Sequence, residues 1–139
     1  MTGTASTADI VPDASVAIRA LMDEAPDALG WFERIHTGDV VAQWPELACL
    51  EVANSLRTYV RAKRVTRDGA IARLDEMLRW PIATVRLSEL ATGALTVGLD
   101  RGLTPYDACY VVLAELRGAT LVTADRKLAA ATPNAVLLD

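Results

Sequence analysis

Apolar residues along the chain follow two alternating patterns. Short β-branched runs, typical of buried strands, alternate with longer segments in which apolar residues recur every three or four positions, as on the buried side of a helix. Thr37–Gly38 and Gly102 are typical helix ends, whereas Thr104–Pro105 opens a helix. The pattern predicts strands at 10–11, 40–41, 82–87, 119–122 and 135–138, and helices at 14–22, 26–36, 45–64, 66–80, 88–100, 104–116 and 125–130.

Strands that alternate with helices predict an α/β fold in which helices cover both faces of a parallel sheet. The expected architecture is a three-layer α/β/α sandwich around a central parallel five-stranded sheet. In the helix at 66–80, Leu78 is expected on the buried side, and Ser88 is expected to cap the following helix. A length of 139 residues suits a single domain spanning 1–139, with 1–9 as a loose N-terminal tail.

Composition narrows the class of protein. No apolar run reaches the roughly 18 residues that a membrane span needs, and the polar start lacks a signal-peptide pattern, so we expect a cytoplasmic protein without membrane association. Cys49 and Cys109 lie in apolar helical stretches outside any zinc or redox motif, which predicts buried, reduced thiols. The net charge of −4 argues mildly against a large nucleic-acid footprint. One basic cluster, which is equally typical of a solvated helix end, comprises Arg57, Arg61, Lys63, Arg64 and Arg67.

Four acidic residues each have a structural explanation when taken singly. Asp13 and Asp125 follow predicted strands and suit helix N-caps, and Asp107 completes a capping box that Thr104 begins. Glu51 lies opposite an apolar stripe, as solvated glutamates usually do. That stripe consists of Cys49, Val52, Ala53, Leu56 and Val60.

Sheet topology favours a common location for these acids. Open parallel sheets place their active sites at the carboxyl ends of strands, beside the point where the strand order reverses. Asp13 and Asp125 follow two separate strands, and acids from two helices fit the same place. Ser15, two residues after Asp13, could hydrogen-bond the same carboxylate or a metal-bound water, or merely cap the helix.

Four segments of the chain carry a family resemblance: DASVAIRAL, PELACLEVANSL, LTPYDACYVVLAE and LVTADRKL. Together they resemble the PIN-domain ribonucleases, specifically the VapC-like toxins of bacterial toxin–antitoxin pairs. The segments occur in family order and roughly family spacing over nearly the whole chain. One departure is Pro12, because proline cannot donate to the ladder of a central strand.

The resemblance implies a divalent-metal-dependent endoribonuclease that acts on RNA. It further implies a homodimer and a cognate VapB-like antitoxin whose C-terminal segment enters or covers the acidic groove. Supporting groups would be Ser15, Asn54 and Thr123. Candidate contacts to RNA are Arg57, Arg61 and Arg126. The resemblance identifies the catalytic and metal-binding quartet as Asp13, Glu51, Asp107 and Asp125.

Phosphodiester hydrolysis requires an activated water and stabilised negative charge. Because His36 is the single histidine, a paired-histidine mechanism is excluded. A hard cation such as Mg²⁺ or Mn²⁺ supplies both effects and prefers carboxylate ligands. Asp13 and Asp107 are assigned as primary ligands. Asp125 and Glu51 then contact the metal directly or through water, orient the nucleophile, or hold a second metal.

Other classes of protein remain open at this point. A non-catalytic module with an acidic pocket, such as a degenerate PIN or response-regulator-like domain, would use the acids for binding alone. A haloacid-dehalogenase-type phosphatase needs Asp-x-Asp after the first strand, where this chain has Asp-Ala-Ser. A stand-alone nuclease would lack an antitoxin, and a structural protein would use every acid as a cap or surface charge.

Overall fold

A computed structural model describes residues 8–22 and 24–139, and a five-stranded parallel sheet lies at its centre. The strand order is β3-β2-β1-β4-β5. The predicted sheet is therefore confirmed. The strands are β1 (Ala8–Pro12), β2 (Val40–Pro45), β3 (Ile82–Val85), β4 (Thr120–Thr123) and β5 (Ala135–Leu137).

The described helices form a layer on each face of the sheet. The crossovers from β1 to β2 and from β2 to β3 step in one direction, whereas the later crossovers step back, so right-handed connections place the two sets of helices on opposite faces. One layer contains α1 (Ala14–Leu21), α2 (Pro26–Thr37), α3 (Leu47–Arg61) and α4 (Arg67–Leu78). The other contains α5 (Leu87–Arg101), α6 (Pro105–Arg117) and α7 (Arg126–Ala130).

The strand order reverses between β1 and β4, which are neighbours in the middle of the sheet. At the carboxyl end of this pair, the Asp13 amide donates to the Val122 carbonyl at 3.0 Å. Because successive amides point to opposite sides of a strand, the nitrogen of Pro12 faces β2, where pairing with β1 ends at Ile10. The proline therefore removes no ladder bond, and it is the last residue of its strand.

The core lies on both sides of the central strands. Val11, Leu121 and Val122 are fully buried within the sheet, and α6 is buried continuously from Ala108 to Ala114. Burial of this helix ends in its last turn, where Leu116 is 62% exposed. Within 8–22 and 24–139, no helix has both the length and the apolar character that a membrane crossing requires.

The predicted starts of two helices, α3 and α5, are wrong because contacts with distant residues set them. Pro45 ends β2 rather than opening α3, because it pairs with Val85 and the Glu46 amide then donates to the Val85 carbonyl at 2.9 Å. Ser88 is not a cap: α5 begins at Leu87, whose amide donates to Glu46 Oε1 at 3.0 Å.

Two further predictions are wrong, one on the burial of Leu78 and one on the extent of the loose N-terminal tail. Leu78 is 55% exposed, and α4 buries Ala70 and Met77 instead. Residues 8–9 of the predicted loose tail belong to β1, where they pair with Val40 and Val41, whereas 1–7 lie outside the described residues.

Candidate active site

Asp13 lies at the junction between β1 and α1 and is only 5% exposed. Its Oδ1 atom accepts hydrogen bonds from the Ser15 hydroxyl at 2.5 Å and from the Val16 amide at 3.2 Å. Its Oδ2 atom accepts a bond from the Thr123 hydroxyl at 2.5 Å. Burial raises the pKa of the Asp13 carboxyl, and these hydrogen bonds partly oppose the rise. Asp13 is therefore both the predicted N-cap and a carboxylate fixed by three donors.

The same two hydroxyl groups join the β1 junction to the β4 junction. Ser15 Oγ accepts from the Ala124 amide at 3.0 Å, and Thr123 Oγ1 accepts from the Asp125 amide at 3.0 Å. Each hydroxyl thus donates to Asp13 and accepts from the backbone that follows β4. This arrangement fixes two strand ends against each other at the reversal point of the sheet.

Asp125 is exposed at the N-terminus of α7. Its Oδ1 atom accepts from the Lys127 amide at 2.9 Å and from the Leu128 amide at 3.3 Å, as an N-cap does. The other carboxylate oxygen, Oδ2, has no part in this cap, so Asp125 can cap the start of α7 and still offer one oxygen atom to a ligand. A role in capping α7 therefore does not prevent Asp125 from acting as a ligand.

Asp107 lies in the first turn of α6 and is half-buried. Its amide donates to Thr104 Oγ1 at 3.2 Å, which confirms the predicted cap. Burial is the main cause that raises the pKa of the Asp107 carboxyl, and the negative charge of Asp125 adds to it, whereas the positive charge of Lys127 opposes it. Asp107 and Asp125 are thus electrostatic neighbours.

Glu51 comes from α3, in the opposite helix layer, and is half-buried. The Tyr110 hydroxyl of α6 donates to Glu51 Oε1 at 2.5 Å. Burial raises the pKa of Glu51, the Tyr110 bond lowers it, and the charges of Asp107 and Asp13 raise it further. Glu51 therefore does not face open solvent opposite the apolar stripe.

The charges of the four acids act on one another at the carboxyl edge. Asp13 and Asp107 influence Glu51, and Asp125 influences Asp107. No three His, Cys, Asp or Glu side chains in the described part of the chain form a ready-made metal cage. The all-carboxylate donor set nevertheless suits a hard cation that keeps several waters and takes only one or two carboxylates. Thr123 occupies one acceptor position of Asp13 Oδ2 and leaves the other open.

The predicted supporting residues divide into two groups. Ser15 and Thr123 contact Asp13 directly, whereas Asn54 is exposed on α3 and its carbonyl accepts from Thr58 Oγ1 at 3.3 Å. The roles of all three in catalysis stay predictions.

The candidate RNA contacts lie in different places. Arg57 and Arg61 line a groove of about 380 Å³ between α3 and α4. They are six and ten residues from Glu51, or about 9 and 15 Å of helix rise, so the structure does not bring them to the acids. Arg126 is exposed at the start of α7, next to Asp125.

Sequence reasoning missed Tyr110 and Lys127. Tyr110 is 2% exposed and carries the one hydroxyl in the buried run from Ala108 to Ala114. That isolated polar group in an apolar helix was the available signal, although its partner lies 59 positions away in the chain. The prediction for the cysteines is confirmed for Cys109, which is free and buried, and Cys49 is free and half-buried.

Comparison with known proteins agrees with this architecture. The PIN domain family model matches residues 10–132. Ribonuclease VapC3 of Pyrobaculum aerophilum is 35% identical over 132 residues, which cover 89% of this chain and 95% of that protein.

Solved structures are similar over nearly the whole chain. PAE2754 from Pyrobaculum aerophilum has a TM-score of 0.70 and 32% identity, over 93% of this chain and 83% of its own. A toxin–antitoxin complex from Klebsiella pneumoniae contains a chain with the same fold, with a TM-score of 0.62 and 18% identity, over 91% of this chain and 95% of its own. By its sheet, its acidic edge and these matches, the chain belongs to the PIN-domain family.

Proposed function

We propose that this protein is a divalent-metal-dependent endoribonuclease that acts as the toxin of a toxin–antitoxin pair. The observation that carries the proposal is the group of four acids at the reversal point of a parallel sheet, three of which have a raised carboxyl pKa. A relative that spans most of the chain is named a ribonuclease, which supports RNA as the substrate.

Asp13 and Asp107 would hold the metal, since Asp13 Oδ2 keeps an open acceptor position and the charges of both acids act on the same residue, Glu51. A bound Mg²⁺ or Mn²⁺ would lower the pKa of a water and offset the charge of the phosphate. Ser15 and Thr123 keep the Asp13 carboxylate in one orientation.

Glu51 and Asp125 would orient the attacking water. Tyr110 occupies Glu51 Oε1, so Oε2 is the atom that would accept a proton from that water. Lys127, whose charge acts on Asp107, and Arg126 would contact the phosphates on either side of the cleaved bond. These two cations suit the role better than Arg57 and Arg61, which lie in the groove between α3 and α4.

The proposed partners are an antitoxin and a second copy of the chain. A structural neighbour was solved as a toxin–antitoxin complex, which supports the first. Several large apolar side chains are exposed on α5 and α6, which supports self-association. They include Leu95, Leu99 and Leu116.

Circular single-stranded RNA of mixed sequence tests the substrate and the mode of cleavage together. Because a circle has no ends, its conversion to linear RNA in Mg²⁺ requires an endonuclease. We expect linear products from the wild type and from the control Asp75→Asn, which alters an exposed acid on α4, and none from Asp107→Asn.

Two results would contradict the proposal in different ways. Shortening of linear RNA while circles persist would indicate an exonuclease. Tight binding without cleavage of either form would indicate a non-catalytic PIN domain that uses its acids for recognition alone.

A further inference from the structure

We infer that Tyr110 is a positioning residue for Glu51, an inference that rests on the proposed nuclease function. Tyr110 lies one turn after Asp107 on α6, so one helix supplies both an acid and the group that orients another acid. Its hydroxyl donates to Glu51 Oε1 at 2.5 Å. The bond joins the two helix layers over the carboxyl edge of the sheet.

Burial makes this bond obligatory for the Tyr110 hydroxyl. Tyr110 is 2% exposed, and within the described residues every buried side-chain nitrogen or oxygen has a hydrogen-bond partner. Glu51 is the partner that satisfies the buried hydroxyl. Rotation of Glu51 away from α6 would leave that hydroxyl without water or protein, which is strongly unfavourable. The carboxylate is therefore held in one rotamer.

The bond also decides which oxygen atom of Glu51 is available. Oε1 accepts from Tyr110, so Oε2 is the oxygen atom left without that bond, and the charges of Asp107 and Asp13 act on the same carboxylate. The two acids repel Glu51, and a free glutamate side chain would turn toward solvent. The phenol supplies the anchor that opposes this repulsion.

Tyr110→Phe tests the inference because it removes one oxygen atom and keeps the buried ring. Tyr59→Phe is the matched control: the Tyr59 hydroxyl also donates to a carboxylate, Glu24, at 2.8 Å, but on an exposed surface. RNA cleavage is measured for wild type and both variants, with kcat and KM separated. Crystal structures of wild type and Tyr110→Phe then locate the Glu51 carboxylate.

We expect Tyr110→Phe to lower kcat roughly 10- to 100-fold, because a displacement of about 1 Å at a reacting group has effects of that size. KM should change less than about twofold, since the phenol does not touch RNA. Glu51 should move from its wild-type position, and Tyr59→Phe should match the wild type.

Wild-type kcat in Tyr110→Phe, or an unmoved Glu51 carboxylate, would overturn the inference. If the wild type cleaves no RNA, the proposed function fails, and the position of Glu51 alone decides the role of Tyr110. If the variant does not fold, the wild-type proton NMR spectrum decides. A slowly exchanging downfield hydroxyl proton correlated with the Tyr110 ring supports the bond, and its absence contradicts it.

Discussion

At the scale of single residues, hydroxyl groups determine how the acids are held. Ser15 and Thr123 donate to opposite oxygen atoms of Asp13, and Tyr110 donates to Glu51. Each of these bonds is 2.5 Å long. The acids are therefore preorganised by neutral donors rather than by basic residues, which leaves their negative charge available to a cation.

Thr123→Val removes one of these donors without changing the size of the side chain. Thr123 is fully buried, so the change leaves Asp13 Oδ2 and the Asp125 amide each short of a partner. We expect the free energy of unfolding to fall by about 1–3 kcal/mol in urea denaturation.

Thr120→Val on the same strand provides the control for that prediction. The Thr120 hydroxyl donates to Asn134 at a more accessible position, so the expected loss is about 0.5–1 kcal/mol. Equal losses in the two variants would mean that the hydrogen bond from Thr123 to Asp13 contributes no more to stability than the accessible bond from Thr120 to Asn134.

The sequence predicted the capping contacts around the acids better than their contacts with distant residues. Asp13, Asp107 and Asp125 follow local rules of helix capping, which can be recognised over four residues. Glu51 was expected opposite the apolar stripe, where solvated glutamates usually lie, yet it is half-buried against Tyr110. A contact across 59 positions depends on how two helices pack, and no local pattern encodes it.

At the scale of elements, the acids come from both layers and from both central strands. Glu51 belongs to α3, Asp107 to α6, and Asp13 and Asp125 to the junctions after β1 and β4. Bringing negative charges together from four elements opposes folding when no cation is present. That opposition should be visible as a dependence of stability on pH.

Glu51→Gln tests this electrostatic strain in the presence of EDTA. Burial, together with the charges of Asp107 and Asp13, raises the pKa of Glu51 above its ordinary value of 4.5. The folded state therefore binds more protons than the unfolded state between 4.5 and the raised pKa. Wild-type stability should fall relative to Glu51→Gln as the pH rises through that window, and the loss is complete above it.

Urea denaturation of both proteins from pH 4 to pH 8 measures the difference. A wild-type stability that rises relative to Glu51→Gln with increasing pH would mean that the pKa of Glu51 is lowered by folding. The proposed repulsion among the acids would then be wrong.

The ends of helices were predicted well where a glycine or a local cap marks them. They were predicted poorly where a contact with a distant residue sets the boundary. Gly38 and Gly102 end α2 and α5 in the left-handed conformation, as expected. The start of α5 was misplaced because its cap, Glu46, comes from 41 positions earlier. Pro45 was assigned to a helix because its pairing with β3 cannot be read from neighbouring residues.

At the scale of the whole molecule, alternation of strands and helices predicted the three-layer fold, because right-handed crossovers leave few other arrangements. The order of the strands, and the position at which that order reverses, could be determined only from the structure. The molecular surface includes a pair of exposed apolar side chains. Leu95 and Leu99 lie one turn apart on α5 and are 55% and 76% exposed. Such a pair on an outer helix is typical of an interface.

Leu99→Glu tests the proposed homodimer. A charge at this position should weaken self-association at least about tenfold in sedimentation equilibrium, which corresponds to about 1.4 kcal/mol. Because Leu99 is exposed, the stability of the monomer should change by no more than about 0.5 kcal/mol.

Leu78→Glu is the matched control, since Leu78 is 55% exposed on α4 in the opposite layer. It should leave the association constant unchanged. If it weakens association as much as Leu99→Glu does, or if the wild type is monomeric, the outer surface of α5 is not the interface.

The acids at the carboxyl edge are proposed to hold a cation that cleavage of RNA requires. The most direct test is the cleavage rate of the wild type, Asp13→Asn and Asp107→Asn with Mg²⁺, with EDTA, and after Mg²⁺ is restored. We predict that EDTA abolishes wild-type cleavage reversibly and that either variant lowers it more than roughly 100-fold. Wild-type cleavage that persists in EDTA, or full activity in both variants, would contradict the proposed requirement for a bound cation.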